Sequence, residues 1–484
     1  MQPRVVANAV GVVVGAGGAA MLLPMLFSLL AGDGQALAFA GPALAALATG
    51  ALLFFPARSR RGSRGSAYVS GRDVYLIVVL GWLGVATFGS APFVLSGLMG
   101  PVDAFFESMA GFTTTGTSTV GRPEGVAPSL LLWRSISQWA GGIGIVLLFV
   151  AVAPLVGFGA TQLFSAEAAD PVPERLTARI RDTAKILAFV YLGLTLGGVV
   201  ALSLAGMGLF DAVNHALTTV STGGFSTRAD SIAAFDSTAI ELFVAAGMIL
   251  SGANFALYFQ AARGRLGRAL GNAELIVYLS LVAFGTVVTT TVLYADGGSM
   301  GQSLLDGFFQ SASLSTGTGF VTADWKSWGS LSQGVLLFLM AIGACAGSTG
   351  GGMKVVRVML LARHAWQEVF RMLHPQAVTL LKFGDRVIPE RLRMAFLGFF
   401  FIYITALAVG TLIMALHGLP LGEAFGSVFA CLNITGVALG HVGDASFYAD
   451  LPVSAKIILT GYMLLGRLEL FTVLVLLTPE FWRR

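Results

Sequence analysis

The chain has 484 residues, of which 56% are hydrophobic and 11% are charged, and its formal net charge is +4. This composition lies outside the range of soluble globular domains and predicts an integral membrane protein. The small net charge is a sum over basic and acidic loops, so it does not indicate a nucleic-acid partner. Neither of the two cysteines belongs to a cluster with metal-ligand spacing.

Apolar runs recur along the whole chain, and each is long enough to cross about 30 Å of hydrocarbon at about 1.5 Å per residue. The first run is too long for the apolar part of a cleaved signal peptide, so we predict a helix there. The ten predicted transmembrane spans are 5–31, 36–56, 74–98, 129–156, 184–206, 238–262, 273–295, 331–362, 393–416 and 453–479.

Basic residues cluster in the loops that follow the even-numbered spans. The positive-inside rule therefore places these loops, and both termini, on the cytoplasmic side. The opposite loops carry mostly acidic residues, which either raise the local concentration of cations at an outer vestibule or simply solvate the loops. The basic loops lie at 58–64, 175–185, 263–268, 363–393 and 483–484.

Four of the outer segments share one pattern, in which an acid introduces a short, partly apolar stretch that ends in Thr-Gly. An acid near a helix start complements the positive end of the helix dipole. Each stretch is therefore predicted to be a re-entrant pore helix of about ten residues, too short to cross the bilayer. Its negative end points toward the membrane centre, where it favours a desolvated cation. The introducing acids are Asp103, Asp211, Asp306 and Glu423.

The backbone that follows each pore helix is rich in glycine and hydroxyl residues. Non-helical backbone at membrane depth survives only where it lines a polar path, and carbonyl oxygens there replace the water shell of a large monovalent cation. Glycine and threonine could instead serve only to pack membrane helices together, but the recurrence of four such segments in register disfavours this alternative. The four stretches are 113–118, 221–226, 315–320 and 433–438, aligned on the glycines Gly116, Gly223, Gly317 and Gly436.

Two features at membrane depth are candidates for a gate. The eighth apolar run is interrupted at 347–352 by a glycine-rich sequence, which a helix disfavours by about 1 kcal/mol per glycine. This stretch lacks the ending of a phosphate-binding P-loop. Arg467 lies in the middle of the last span and must face polar groups. It either places a positive charge in the pore or is tied to neighbouring carbonyls, and Glu469 is predicted to lie on a different face of the same helix.

Four strings together resemble the Trk/Ktr/HKT superfamily of potassium uptake proteins, and within it the bacterial TrkH/TrkG-type membrane subunits. They are Ser108–Gly116, Ser221–Ser226, Gly347–Lys354 and Leu464–Glu469, and the resemblance covers the chain end to end. It implies an all-α membrane protein with an N-terminal helix pair and four pseudosymmetric helix–pore-loop–helix repeats around one central ion pore. The implied units are 1–65 (helix pair and basic cytoplasmic loop), 66–165 (pore segment 103–118), 166–268 (pore segment 211–226), 269–375 (pore segment 306–320, gating loop 345–354) and 376–484 (pore segment 423–438).

The resemblance also implies K⁺ uptake across the bacterial inner membrane by a channel-like homodimer of the Trk system, with one pore per subunit and no organic cofactor. The implied partner is a cytoplasmic ring of TrkA-type nucleotide-binding subunits, because this chain lacks a Rossmann fingerprint of its own. The basic stretch 357–393 either contacts that ring or is only an orientation signal. The implied filter residues are Thr113, Thr114, Thr115, Gly116, Val220, Ser221, Thr222, Gly223, Leu314, Ser315, Thr316, Gly317, Asn433, Ile434, Thr435 and Gly436, and the implied gate residues are Gly347, Ser348, Thr349, Gly350, Gly351, Gly352, Lys354 and Arg467.

A K⁺ symporter coupled to H⁺ or Na⁺ is the alternative. Coupled transporters usually carry intramembrane carboxylates and inverted repeats, whereas here the repeats are parallel and acids at the membrane centre are scarce. A membrane enzyme is disfavoured because the sequence contains no catalytic constellation.

Overall fold

The part of the chain that the structure describes is all-helical apart from one short pair of strands, in agreement with the predicted all-α class. The computed structural model describes residues 1–58, 70–156, 173–377, 382–383, 386–444 and 446–483. In these ranges, seven helices are long and apolar enough to span a membrane, and two further helix pairs reach that length with bends of 92° and 117°. The predicted basic residues Arg60, Arg61, Arg64 and Arg484, and the predicted unit boundaries at 65/66 and 165/166, lie outside the described residues.

The helices follow one another with short connections, and four short 3₁₀ turns lie at Pro123–Gly125, Ser231–Phe235, Trp325–Ser327 and Val475–Leu477. Strand β1 (Lys382–Phe383) pairs antiparallel with β2 (Arg386–Val387). The helices are α1 (Pro3–Ala20), α2 (Leu22–Ala31), α3 (Ala36–Arg58), α4 (Gly71–Leu95), α5 (Pro101–Phe112), α6 (Pro128–Val156), α7 (Pro173–Leu204), α8 (Leu209–Val220), α9 (Thr238–Gly252), α10 (Phe255–Ala262), α11 (Leu266–Leu270), α12 (Ala273–Ala295), α13 (Met300–Thr316), α14 (Ser330–Ile342), α15 (Val355–Leu373), α16 (Glu390–Leu416), α17 (Leu421–Leu432), α18 (Phe447–Asp450), α19 (Val453–Arg467), α20 (Leu470–Leu474) and α21 (Pro479–Trp482).

The N-terminal helices pack through small residues. A side chain on Gly50 of α3 would lie 2.7 Å from the carbonyl oxygen of Gly11 in α1, so the two backbones touch directly. Such close contact is typical of membrane helices, which associate by packing rather than by excluding water. The pair α1–α3 also packs on α4, which connects it to the rest of the molecule.

Four helices, α5, α8, α13 and α17, consist mostly of buried residues, and the other helices pack around them. Leu37 and Leu412, on the outer helices, are 85% and 65% exposed, as side chains that face lipid should be. The predicted acids Asp103, Asp211 and Glu423 lie in the first turn of α5, α8 and α17. These acids complement the positive end of the helix dipole, although none of the three helices has a side-chain hydrogen bond at its cap.

The third pore helix differs from its prediction. It begins at Met300 rather than at Asp306, and it has 17 residues. Ser299 supplies the cap, because its hydroxyl accepts a hydrogen bond from the backbone N–H of Gln302. Asp306 lies one turn further on and accepts a hydrogen bond from the Gln302 side chain at 2.9 Å.

The sixth, eighth and tenth predicted spans are not continuous helices. The sixth divides into α9 and α10, which meet at a bend of 92°. Helix α14 ends at Ile342 after 13 residues, and an irregular loop of residues 343–354 leads to α15. The last span breaks directly after Arg467, where the chain bends by 117° and Glu469 adopts a φ of 58°. The prediction that Arg467 and Glu469 share one helix is therefore wrong.

Candidate ion pathway

The four pore helices all end in the same backbone turn. In each, one residue with positive φ is followed two residues later by a glycine with positive φ. The residue between them donates its N–H to the carbonyl five residues earlier, at 2.8 to 3.0 Å. We call the resulting four-residue stretches pore segments one to four and number their positions one to four. They are Thr113–Gly116, Ser221–Gly224, Thr316–Gly319 and Asn433–Gly436.

This shared turn corrects the alignment of the second and third segments. The glycine at position four is Gly224 rather than Gly223, and Gly319 rather than Gly317. Thr222 itself adopts the left-handed conformation at position two, a role that glycine has in the third segment. In these two segments, the glycine of the Thr-Gly pair is therefore not the glycine at position four. Three predicted residues, Val220, Leu314 and Ser315, lie in the last turn of α8 or α13.

The four segments close into a ring. At position four of each segment, a side chain would collide with the carbonyl oxygen at position three of the next segment, so position four is restricted to glycine by space as well as by φ. The contacts follow chain order and return from the last segment to the first, which places the segments around one axis. The successive pairs of glycine and carbonyl are Gly116 with Gly223, Gly224 with Thr318, Gly319 with Thr435, and Gly436 with Thr115.

The glycine-rich loop lies directly against the end of this ring at which the pore helices terminate. The hydroxyl of Thr349 donates to the carbonyl of Val220 at 3.1 Å. A side chain on Gly350 or Gly351 would collide with the carbonyls at position one of segments three and four. The loop therefore covers the deep end of the ring. It contains all of the predicted residues Gly347, Ser348, Thr349, Gly350, Gly351 and Gly352, and Lys354 at its end.

Two cations, the buried Arg467 and the half-buried Lys354, bind carbonyls of the loop. Arg467 is 4% exposed and donates to the carbonyl oxygens of Thr349 at 2.8 Å and Gly141 at 3.0 Å. Lys354 donates to the carbonyl of Gly350. Arg467 is thus bound to backbone carbonyls, and one of them belongs to the gate candidate.

One acid binds the loop directly, and a second pairs with an arginine beside it. Glu274 of α12 accepts a hydrogen bond from the N–H of Ala346 at 2.7 Å. Glu469 binds Arg357 at 2.6 Å rather than Arg467, because the break after α19 turns the chain away. The loop is therefore bonded to α8 through Val220, to α12 through Glu274 and to α19 through Arg467. The sequence alone gave no sign of Glu274, whose partner is distant along the chain.

A buried ion pair joins the first two pore segments where they leave the ring. Arg134 Nε lies 2.7 Å from Glu107 Oε1, with side-chain exposures of 3% and 0%. Arg134 also donates to the hydroxyl of Ser118 and to the carbonyl of Ser226. The same reasoning that identified Arg467, a charge within an apolar run, would have found Arg134.

We expect Glu107→Gln to destabilise the protein by about 3 to 5 kcal/mol, because it leaves a buried guanidinium without its counterion. Thermal unfolding of the detergent-solubilised protein, followed by size-exclusion chromatography, measures the effect. Asp444→Asn is the control, since Asp444 pairs with Lys326 but its side chain is 48% exposed. Equal effects of the two substitutions would contradict a structural role of the buried pair.

The acids at the mouth of the ring are partly neutralised by cations. Asp211 pairs with Arg228 at 2.9 Å, and Asp103 with Lys456 at 2.5 Å. A backbone hydrogen bond from Ala229 lowers the pKa of Glu124, so that this carboxylate stays ionised. Because Asp211 and Asp103 are paired with cations, the mouth carries less net negative charge than the number of its acids indicates.

Comparison with known proteins agrees with this architecture. The sequence profile of the TrkH family, described as "Cation transport protein", matches residues 46–295 and 275–484. The Trk system potassium uptake proteins TrkH of Escherichia coli K12 and of Salmonella typhimurium are 39% and 38% identical, over 100% of each chain. TrkG of Escherichia coli K12 is 32% identical, over 85% of this chain and 86% of its own.

A solved structure gives the same result. The crystal structure of the potassium transporter TrkH from Vibrio parahaemolyticus superposes with a TM-score of 0.89 at 36% identity, covering 100% of both chains. These matches confirm the family resemblance predicted from the four sequence strings. The relatives are named as potassium uptake proteins, which are transporters rather than enzymes. This chain belongs to the TrkH family of cation transport proteins.

Proposed function

We propose that the protein takes up K⁺ across the bacterial inner membrane through the ring of four pore segments. The observation that carries this proposal is the closed ring, in which each glycine at position four lies against a carbonyl of the next segment. The named relatives are potassium uptake proteins, which supports K⁺ as the transported ion.

The ring suits a large monovalent cation for a physical reason. Carbonyl oxygens are uncharged and can replace a weakly held hydration shell, whereas a small divalent cation requires charged ligands to offset its dehydration. The negative ends of four pore helices add to this field from all sides. The filter thus consists of backbone atoms, and side chains set their positions.

We propose that the glycine-rich loop is the gate and that Arg467 and Lys354 keep it closed. Both cations bind loop carbonyls directly beneath the ring. Opening then requires these hydrogen bonds to break and the loop to leave the axis.

We also propose that the protein works as a homodimer with cytoplasmic termini, controlled by a ring of TrkA-type nucleotide-binding subunits. The relatives' name "Trk system" supports an assembly with further components. Helix α15 carries basic residues beside the gating loop, so a partner bound there could move the loop.

The proposed channel predicts ⁸⁶Rb⁺ uptake into liposomes that is driven by the Rb⁺ or K⁺ gradient alone. Purified protein is reconstituted with K⁺ inside, and tracer uptake is measured with no H⁺ or Na⁺ gradient. Empty liposomes are the control. Uptake that appears only after a proton or sodium gradient is imposed would favour the symporter instead.

A further inference from the structure

The second pore segment lacks a side chain that the other three carry. Position three is threonine in segments one, three and four, but glycine in segment two, where it is Gly223. In segments one and three, the threonine hydroxyl at this position lies 2.7 Å from the hydroxyl of the threonine at position one. Each of these hydroxyl pairs links position one to position three within its segment.

Gln138 of α6 occupies the space of the missing side chain. A Cβ atom built on Gly223 would overlap the carboxamide of Gln138, which is completely buried. Gln138 Nε2 donates to the carbonyl of Gly223 at 2.6 Å, and Gln138 Oε1 accepts from the N–H of Phe225 at 3.1 Å. Gly223 has no positive φ, so its backbone would accept a side chain if Gln138 were absent.

The carbonyl that Gln138 holds is one of the four in the ring. The oxygen of Gly223 lies against Gly116 of the first segment. In the described part of the chain, the other three ring carbonyls, those of Thr115, Thr318 and Thr435, accept no hydrogen bond from a side chain. The brace is therefore specific to the segment that lacks threonine.

We propose that Gln138 is a positioning residue of the filter: it replaces the absent threonine side chain and sets the preference for K⁺ over Na⁺. This inference rests on the proposed function of the ring. A Na⁺ ion is smaller, so the carbonyls must move inward to coordinate it. The carbonyl of Gly223 resists that movement because it accepts a hydrogen bond from Gln138, and the second hydrogen bond, from the N–H of Phe225, fixes the carboxamide in place.

A double-mutant cycle tests the proposal with Gln138→Ala, Gly223→Thr and the two combined. The readout is the ratio of the Na⁺ and K⁺ concentrations that halve ⁸⁶Rb⁺ uptake into liposomes. We expect Gln138→Ala to lower this ratio about fivefold, the effect of one net hydrogen bond. Gly223→Thr collides with Gln138 and lowers uptake or folded yield. The double variant regains uptake and a ratio within about twofold of wild type, because the threonine hydroxyl can then pair with the hydroxyl of Ser221 at position one, as in segments one and three.

Two further variants separate the possible causes. Gln138→Met fills the space without an amide and should show the same loss of preference as Gln138→Ala. Ser137→Ala is the control, since among the described residues the Ser137 hydroxyl donates only to the carbonyl of Arg134 in its own helix. Its ratio should stay at the wild-type value.

Additive losses in the double variant, its failure to fold, or a wild-type ratio in Gln138→Met would each overturn the role of Gln138. A wild-type protein without any preference for K⁺ would instead overturn the proposed function. The two failures are therefore distinguishable in one set of measurements.

Discussion

Substituting Gly319 by alanine should lower ⁸⁶Rb⁺ uptake at least about tenfold, because a left-handed conformation costs a non-glycine residue about 1 to 2 kcal/mol and the new methyl group also meets a backbone carbonyl. Gly319 has a φ of 79°, and its Cβ position is blocked by the carbonyl of Thr435. A backbone carbonyl cannot rotate away as a side chain can, so the ring itself must open. Uptake and its inhibition by Na⁺ are measured in liposomes at equal amounts of folded protein.

Gly297→Ala is the matched control for this substitution. Gly297 also has a positive φ, 96°, but nothing lies within 4 Å of its Cβ position. It therefore carries the conformational penalty without the collision, and uptake should stay near the wild-type level. If Gly319→Ala behaved like Gly297→Ala, the ring would not be the path of the ion.

Removing the guanidinium of Arg467 should raise ⁸⁶Rb⁺ uptake about tenfold. Arg467→Ala deletes the hydrogen bond to Thr349 in the gating loop and the one to Gly141, and a hydrogen bond to a charged group contributes about 1.5 to 3 kcal/mol. It also removes a positive charge from beneath the ring, which lowers the electrostatic barrier to a cation. Arg467→Lys keeps the charge, but an ammonium group lacks the planar pair of donors that binds both carbonyls. Its uptake rate should therefore lie between those of wild type and Arg467→Ala.

Initial rates of uptake for the arginine variants are compared with those of Arg72→Ala. Arg72 is exposed and donates to the carbonyl of Arg483, far from the gating loop. Its substitution should leave the rate unchanged. Uptake by folded Arg467→Ala at or below the wild-type rate would contradict the gate.

Most of the fold could be predicted because membrane burial constrains the sequence so strongly. Apolar runs predict spans, and acids such as Asp103 and Asp211 mark where pore helices begin. The break at 347–352 could be predicted because several glycines in a row disfavour a helix. Arg467 could be predicted to have polar partners because lipid cannot solvate a guanidinium.

Other features depend on contacts that no local pattern shows. The second and third pore segments each contain two glycines, and only the packing of the next segment decides which of them needs to be glycine. The chain breaks after Arg467 within an apolar sequence that reads as a continuous helix. Gln138 carries no local signal at all, because its role depends on the glycine at position 223.

The most direct test of the central claim is the reversal potential of the reconstituted protein under bi-ionic conditions, with K⁺ on one side of the membrane and Na⁺ on the other. A ring of carbonyls sized for K⁺ predicts a reversal potential strongly displaced toward the K⁺ equilibrium potential, and a smaller displacement in Gln138→Ala. A wild-type reversal potential near zero would show that the pathway does not distinguish the two ions and would contradict the account.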